Sequence, residues 1–130
     1  MFYYIDDGTD YTVTYSANTK VGTVEVTITG TGSYIGEIKS SFDILPAKQK
    51  IQKLTAKSKA FFIDWAQKGS ATGYEVQYAT NSKFTGAKKL DVANNKTDKI
   101  TISKLSANKK YYVKVRSYTL VKGTKYFGEW

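Results

Sequence analysis

The chain has 130 residues, 41% of them hydrophobic, and a formal net charge of +9 from 20 basic and 11 acidic residues. It contains no cysteine and no histidine, which excludes disulfide bonds and removes the usual general base at neutral pH together with the commonest metal ligand. No run of about eighteen apolar residues occurs, so we predict no membrane-spanning helix. Tyrosine, threonine, valine and isoleucine share the same segments, a composition that favours strands and predicts almost no helix.

The first module alternates apolar and polar residues with the period of a β-strand in two segments, Tyr11 to Tyr15 and Val24 to Ile28. Residues 35–44 carry a third, weaker strand pattern, and residues 18–22 and 30–32 are rich in turn formers. This order predicts a β-meander.

The turn residues of this module follow a pattern of glycines and tyrosines, Gly8-Thr9-Asp10-Tyr11 and then Gly30-x-Gly32-x-Tyr34-x-Gly36. The pattern resembles small immunoglobulin-like repeats of bacterial surface proteins. Such repeats carry further strands ahead of this segment, whereas residues 1–7 precede it here. We therefore expect a partial immunoglobulin-like module that relies on its neighbour for cover.

The charge changes sign close to Pro46. Residues 1–47 hold two lysines against six acidic residues, a net charge of −4, whereas residues 48–130 hold eighteen basic and five acidic residues, a net charge of +13. Proline fixes φ and donates no hydrogen bond, so it tends to end a strand. We predict a boundary at about residue 47, which divides the chain into modules 1–47 and 48–130.

The second module contains seven strand patterns, near residues 50–56, 60–66, 73–79, 87–92, 98–103, 110–120 and 125–130. Alternation along these strands gives one inward set of side chains, which comprises Phe61, Ile63, Trp65, Tyr74, Val76, Tyr78, Tyr111, Val113 and Val115. Leu105 stands six residues before Tyr111. This spacing fits a corner at which the phenol bonds back to upstream backbone.

These strand patterns, with Leu105 and Tyr111, resemble a fibronectin type III domain over residues 48–130. The resemblance implies an all-β fold, an antiparallel β-sandwich that the small meander precedes. In this family the last strand usually runs several residues past the tryptophan that here is Trp130. We therefore expect a short closing strand that leaves part of the 110–120 strand unpaired.

One outward row offers a candidate ligand-binding site, formed by Tyr112, Lys114, Arg116 and Tyr118. Flat aromatic and cationic groups can stack on a sugar or meet an anionic polymer. The alternative is that Lys114 or Arg116 pairs with Glu75 across the sheet while the tyrosines cover strand backbone.

Several motifs are weaker. The segment from Gly30 to Gly36 lacks the spacing of a phosphate loop and predicts a hairpin turn, and the carboxylates of Asp6, Asp7 and Asp10 lack the spacing of an EF-hand. Residues 109–116 interleave basic and aromatic side chains without the glycines of an RNA-binding strand. No residue pattern suits nucleophilic or paired-carboxylate catalysis, so we predict no enzyme, cofactor or metal.

The resemblance implies a non-catalytic, extracellular unit of a larger bacterial surface or secreted protein. It would act as a spacer or adhesion unit among tandem modules, with neighbouring domains of the same polypeptide as partners. The alternative function is a module that binds carbohydrate or an anionic cell-wall polymer. A third hypothesis, nucleic-acid binding, predicts non-specific association that weakens steeply with salt.

Overall fold

The computed structural model describes residues 8–130. Its contacts divide the chain into two compact units, Met1–Ile44 and Leu45–Trp130. The described residues form ten strands in antiparallel sheets and no helix, as the sequence predicts. These residues therefore include no helix that could span a membrane.

The first unit is a three-stranded meander of β1 (Tyr11–Tyr15), β2 (Gly22–Gly30) and β3 (Glu37–Ile44). The strands pair in chain order, with both pairs antiparallel. Residues 31–36 form the β2–β3 turn, closed by a 2.9 Å bond from the Gly30 N–H to the Gly36 carbonyl. The predicted meander and the predicted hairpin turn are both confirmed.

The acidic cluster considered as a calcium site falls partly on Asp6 and Asp7, which lie outside the described residues. Asp10 lies in the turn that precedes β1. Within residues 8–130, no three acidic side chains come close enough together to hold a metal ion.

The second unit is a sandwich of two antiparallel sheets with orders β4-β5-β8 and β10-β9-β6-β7. Its strands are β4 (Ile51–Lys57), β5 (Ala60–Trp65), β6 (Gly73–Ala79), β7 (Lys88–Val92), β8 (Lys99–Ile102), β9 (Tyr112–Val121) and β10 (Thr124–Phe127). All seven predicted strands are present. Their bounds agree within two residues except at the last strand, which ends at Phe127 and not at residue 130.

The core lies between the two sheets and centres on Trp65, whose side chain is fully buried. The Trp65 ring lies 5.4 Å from the ring of Tyr74, which faces it from the other sheet. The Tyr74 hydroxyl donates to the Asn95 carbonyl at 2.9 Å and accepts from the Lys68 N–H at 2.7 Å. The predicted inward set is confirmed, although Tyr78, Tyr111 and Val113 are only partly buried against the core.

The predicted corner is present just before β9. The Tyr111 hydroxyl accepts a hydrogen bond from the Ser106 N–H at 3.1 Å. One residue earlier, the Leu105 N–H donates to the Lys59 carbonyl at 2.9 Å. The connection that leads into β9 is thereby fixed both to Tyr111, directly before β9, and to the β4–β5 turn.

The closing strand is short, as the sequence predicts. β10 pairs with residues 118–121 of β9, and the Gly128 N–H adds one bond to the Ser117 carbonyl at 2.9 Å. Among the described residues, no strand pairs with residues 112–116 of β9 on the side opposite β6.

We predict that Trp65→Ala lowers the free energy of unfolding by roughly 3–5 kcal/mol, because it leaves a large cavity between the sheets. Phe62→Ala, on the outer face of the same strand, should cost clearly less. Urea denaturation measures both. In a Trp130→Phe background, the emission of Trp65 should be that of a buried indole; emission of a fully hydrated indole would contradict the packing described.

We predict that Tyr111→Phe lowers stability by about 1 kcal/mol, because the Ser106 N–H loses its acceptor. Tyr112→Phe removes the neighbouring hydroxyl and serves as the matched control, with little change expected. Equal losses in the two variants, measured by urea denaturation, would show that the corner bond contributes nothing specific.

Candidate functional site

The predicted binding row lies on the outer face of the four-stranded sheet, at alternate positions of β9. Its residues stand opposite four residues of β6, in the pairs Tyr112–Ala79, Lys114–Gln77, Arg116–Glu75 and Tyr118–Gly73. Alternation therefore brings the four side chains to one face, as predicted. Their contacts decide what each can offer to a ligand.

Arg116 is engaged within the sheet. Its guanidinium donates to the Glu75 carboxylate at 2.8 and 3.2 Å, and its central carbon lies 3.9 Å from the Phe127 ring centroid and 4.2 Å from that of Trp130. Only 21% of the Arg116 side chain and 15% of the Glu75 side chain are exposed. The alternative interpretation, a cross-strand pair with Glu75, is confirmed for Arg116.

Lys114 also faces aromatic rings of its own unit. Its ammonium lies 4.2 Å from the Phe84 ring centroid and 4.3 Å from that of Trp130, within the range of cation–π attraction. Tyr112 is half-buried, and the Lys110 ammonium lies 5.0 Å from its ring. These two residues keep some exposed surface, but their cationic and aromatic groups already have partners.

The prediction that Tyr118 is exposed is wrong, because only 2% of this residue is accessible. Its cross-strand neighbour Gly73 has no side chain, so the phenol can lie across that strand towards β7. A Cβ at Gly73 would come within 2.7 Å of the Tyr118 hydroxyl oxygen and closer still to the Val92 carbonyl. The hydroxyl donates to Asp91 at 2.8 Å, which holds the ring down on the outer face of the sheet.

Asp91, Tyr118 and Lys125 form one polar cluster at this position. The Lys125 ammonium lies 2.5 Å from Asp91 and 4.2 Å from the Tyr118 ring centroid. The hydrogen bond from Lys125 holds the pKa of Asp91 below its ordinary value, with a further contribution from the Tyr118 hydroxyl. Burial and the Asp91 carboxylate raise the pKa of Tyr118, and the hydrogen bond to Asp91 raises that of Lys125.

A second surface, at one end of the sandwich, lies between the β4–β5 turn and the corner that precedes β9. It is a depression of about 420 Å³ whose lining includes the apolar side chains of Leu54, Phe61, Leu105, Tyr111 and Val113. A neighbouring depression of about 240 Å³ shares Leu105, Ser106, Lys109 and Tyr111 with it and extends to the β6–β7 loop.

Lysines line both depressions, and we call the combined surface the lysine cleft. Among residues 8–130, its lysines are Lys57, Lys59, Lys88, Lys104, Lys109 and Lys110, and no acidic side chain lines it. Hydrogen bonds from the Ser106 backbone and side chain lower the pKa of the Tyr111 phenol, and the charges of Lys109 and Lys88 lower it further. The cleft therefore favours negative charge.

Two of these lysines have left-handed backbone conformations, with φ of 50° at Lys59 and 60° at Lys104. Asn108, which also lines the cleft, has φ of 54°. This conformation costs a residue other than glycine roughly 1 kcal/mol.

Sequence reasoning did not assign this surface as a site. The signal was present as pairs of lysines in predicted turns, at residues 57 and 59 and at residues 109 and 110. Lysines in turns are usually solvated and discourage aggregation, so these pairs alone do not indicate a site. Only the corner shows that turns distant in sequence meet at one end of the sandwich.

The polar cluster predicts a specific loss of stability in acid. Because the pKa of Asp91 is lowered in the folded state, its stabilising contribution is present above its ordinary value of 3.8 and is lost as pH falls through its native pKa. We expect Asp91→Asn to be less stable than the unmodified chain at pH 7, with the difference shrinking below about pH 4. Thermal melting from pH 7 to pH 2 measures it, with Asp64→Asn on the other sheet as the control; a difference independent of pH would contradict the assignment.

The fibronectin type III domain family matches residues 46–126, more than half of the chain. No curated protein matches the sequence, whereas 44 chains of solved structures match. One is the crystal structure of the FN1–FN3 domains of chicken CNTN1, with a TM-score of 0.54 and 15% identity. The match covers 85% of this chain and 40% of that one, and at this identity it shows the fold alone.

The family match spans nearly the whole second unit, from just before β4 to β10. The seven strands of that unit and the bond between Tyr111 and Ser106 agree with it. The chain therefore belongs to the fibronectin type III family, whose domains typically serve as non-catalytic spacers or interaction units.

Proposed function

We propose that this chain is an extracellular spacer within a larger bacterial surface or secreted protein. It holds neighbouring domains of the same polypeptide in position for adhesion. Fibronectin type III domains are usually extracellular, which supports the location. The bacterial context is supported by the resemblance of the first module to immunoglobulin-like surface repeats.

The observation that carries the spacer role is how the segment between β3 and β4 is held. β3 ends at Ile44, and by Ala47 the chain is already attached to the sandwich, where the Ala47 carbonyl accepts from the Ser117 hydroxyl at 3.4 Å. The buried Gln49 side chain donates to the Ala66 carbonyl at 2.6 Å. Few residues are left to flex ahead of this attachment, and Pro46 restricts one of them.

The same segment packs tightly against the end of the chain. A Cβ at Gly128 would lie 2.7 Å from the Pro46 carbonyl oxygen and 3.1 Å from that of Ala47. The backbone of residues 46–47 therefore lies directly against that of Gly128, although Ala47 itself is exposed.

In this proposal, residues 1–47 are a partial immunoglobulin-like repeat. Its three-stranded meander and its turn glycines support the assignment. Several large apolar side chains of this unit remain exposed, namely Tyr15, Ile35, Ile38 and Phe42. A sheet with such residues on its surface suits a module that is completed by further chain or by a neighbour.

The alternative proposal is that Tyr112, Lys114, Arg116 and Tyr118 bind carbohydrate or an anionic cell-wall polymer. The contacts of these residues favour the spacer, because Arg116 is paired with Glu75 and Tyr118 is buried. A ligand on this row would have to displace the aromatic partners of Lys114 or meet Tyr112 alone.

We predict that the two units of the full chain reorient together in solution, because the junction offers few free residues. Nitrogen-15 relaxation measures this, and a single anisotropic tumbling model should fit both units. A Gly-Ser-Gly insertion between Leu45 and Pro46 should decouple them, whereas the same insertion in the β1–β2 loop after Asn18 should not.

Independent tumbling of the units in the unmodified chain would overturn the spacer proposal. Saturable binding on a glycan array that Tyr112→Ala abolishes, in a variant that still melts cooperatively, would support the alternative.

A further inference from the structure

The lysine cleft concentrates positive charge that the second unit does not neutralise. Six lysines line it, and none of the acidic side chains described in residues 8–130 does. The carboxylates with partners elsewhere include Glu75, paired with Arg116, and Asp91, paired with Lys125. Like charges that share a surface repel one another, and a bound anion would relieve that repulsion.

The backbone positions of two cleft lysines are fixed by the turns that carry them. Lys59 and Lys104 occupy left-handed conformations that glycine would adopt without strain. The backbone bond from the Leu105 N–H to the Lys59 carbonyl, at 2.9 Å, holds the two segments against each other. The two lysines thus project from a fixed framework, and a ligand that meets both need not order the loops first.

The lining of the cleft restricts the chemistry of the ligand. It contains aliphatic side chains, among them Leu54, Leu105 and Val113, which suit methylene groups. The rings of Phe61 and Tyr111 are tilted against each other at 6.5 Å, and both pack on Tyr78. No flat stack of bases on these rings is available, which disfavours single-stranded nucleic acid.

The distribution of the charges indicates a chain and not a small ion. The lysines extend over two adjoining depressions, so a single phosphate would meet only some of them. Lysine presents a point charge without the planar fork of arginine, and this suits repeated charges of variable orientation on a flexible backbone.

We propose that the lysine cleft binds a flexible linear polyanion whose phosphodiester charges are linked by short aliphatic or polyol units. The phosphates would pair with the lysines of the rim, and the intervening methylene groups would lie on the aliphatic lining. This binding activity goes beyond the spacer role, which holds whether or not the cleft is occupied, and it uses none of the residues of the β9 row.

The test uses a poly(glycerol phosphate) oligomer and the full chain in isothermal titration calorimetry at several salt concentrations. Lys59→Gly and Lys104→Gly each remove one charge from the cleft and relieve a left-handed residue, so neither should lower the melting temperature. Lys122→Gly is the matched control, because Lys122 is also left-handed, with φ of 49°, and lies outside the cleft in the β9–β10 turn.

We expect each cleft variant to weaken binding about five-fold at low salt, since it removes one close charge contact. The magnitude of the slope of log affinity against log salt should fall by somewhat less than one for each lysine removed. Lys122→Gly should stay within about two-fold of the unmodified chain, because its charge lies away from the ligand.

Four outcomes would overturn the proposal. Equal weakening by Lys122→Gly would mean attraction to net charge and not to the cleft. Tighter binding of single-stranded DNA, an acidic peptide or anionic vesicles than of the oligomer would mean a different class of ligand, and no measurable binding would mean that the cleft is a solvated surface. Inorganic phosphate should bind at least ten-fold more weakly than the oligomer; equal affinity would exclude a chain ligand.

Discussion

Burial of Trp65 between two sheets is the interaction on which the second unit depends. The chain has no cysteine and so no disulfide bond, which leaves packing and strand pairing to hold the sheets together. Tyr74 meets Trp65 from the opposite sheet, and its hydroxyl ties the β5–β6 and β7–β8 connections to the core through Lys68 and Asn95. The same residue thus fills the interior and positions two loops above it.

Much of this fold could be predicted because the alternation of apolar and polar residues within each strand identifies its inward face. Alternation of period two places Phe61, Ile63 and Trp65 inward whatever the neighbouring strand is. The prediction that Tyr118 is exposed failed because its burial depends on which residue is paired with it across the sheet. Alternation within one strand does not reveal that pairing. The partner of Tyr118 across the sheet is a glycine, and the missing side chain makes an outward position a buried one.

The two candidate sites differ in the same way, because only one of them is indicated by the residue pattern of adjacent strands. The pairing of Arg116 with Glu75 could be proposed because both lie on adjacent strands with outward parity. The lysine cleft could not, since Lys57 and Lys109 are far apart in sequence and line one depression only because of the corner that Leu105 and Tyr111 build. The residue pattern of a single strand does not indicate a surface that loops from several strands form together.

The attachment of residues 47–49 to the sandwich has a mechanical consequence. A tensile load that enters through the first unit reaches the hydrogen bonds of the Ala47 carbonyl and the Gln49 side chain before it reaches the β4–β5 ladder. In the spacer proposed above, these two bonds stand ahead of both sheets of the second unit and would bear the load first.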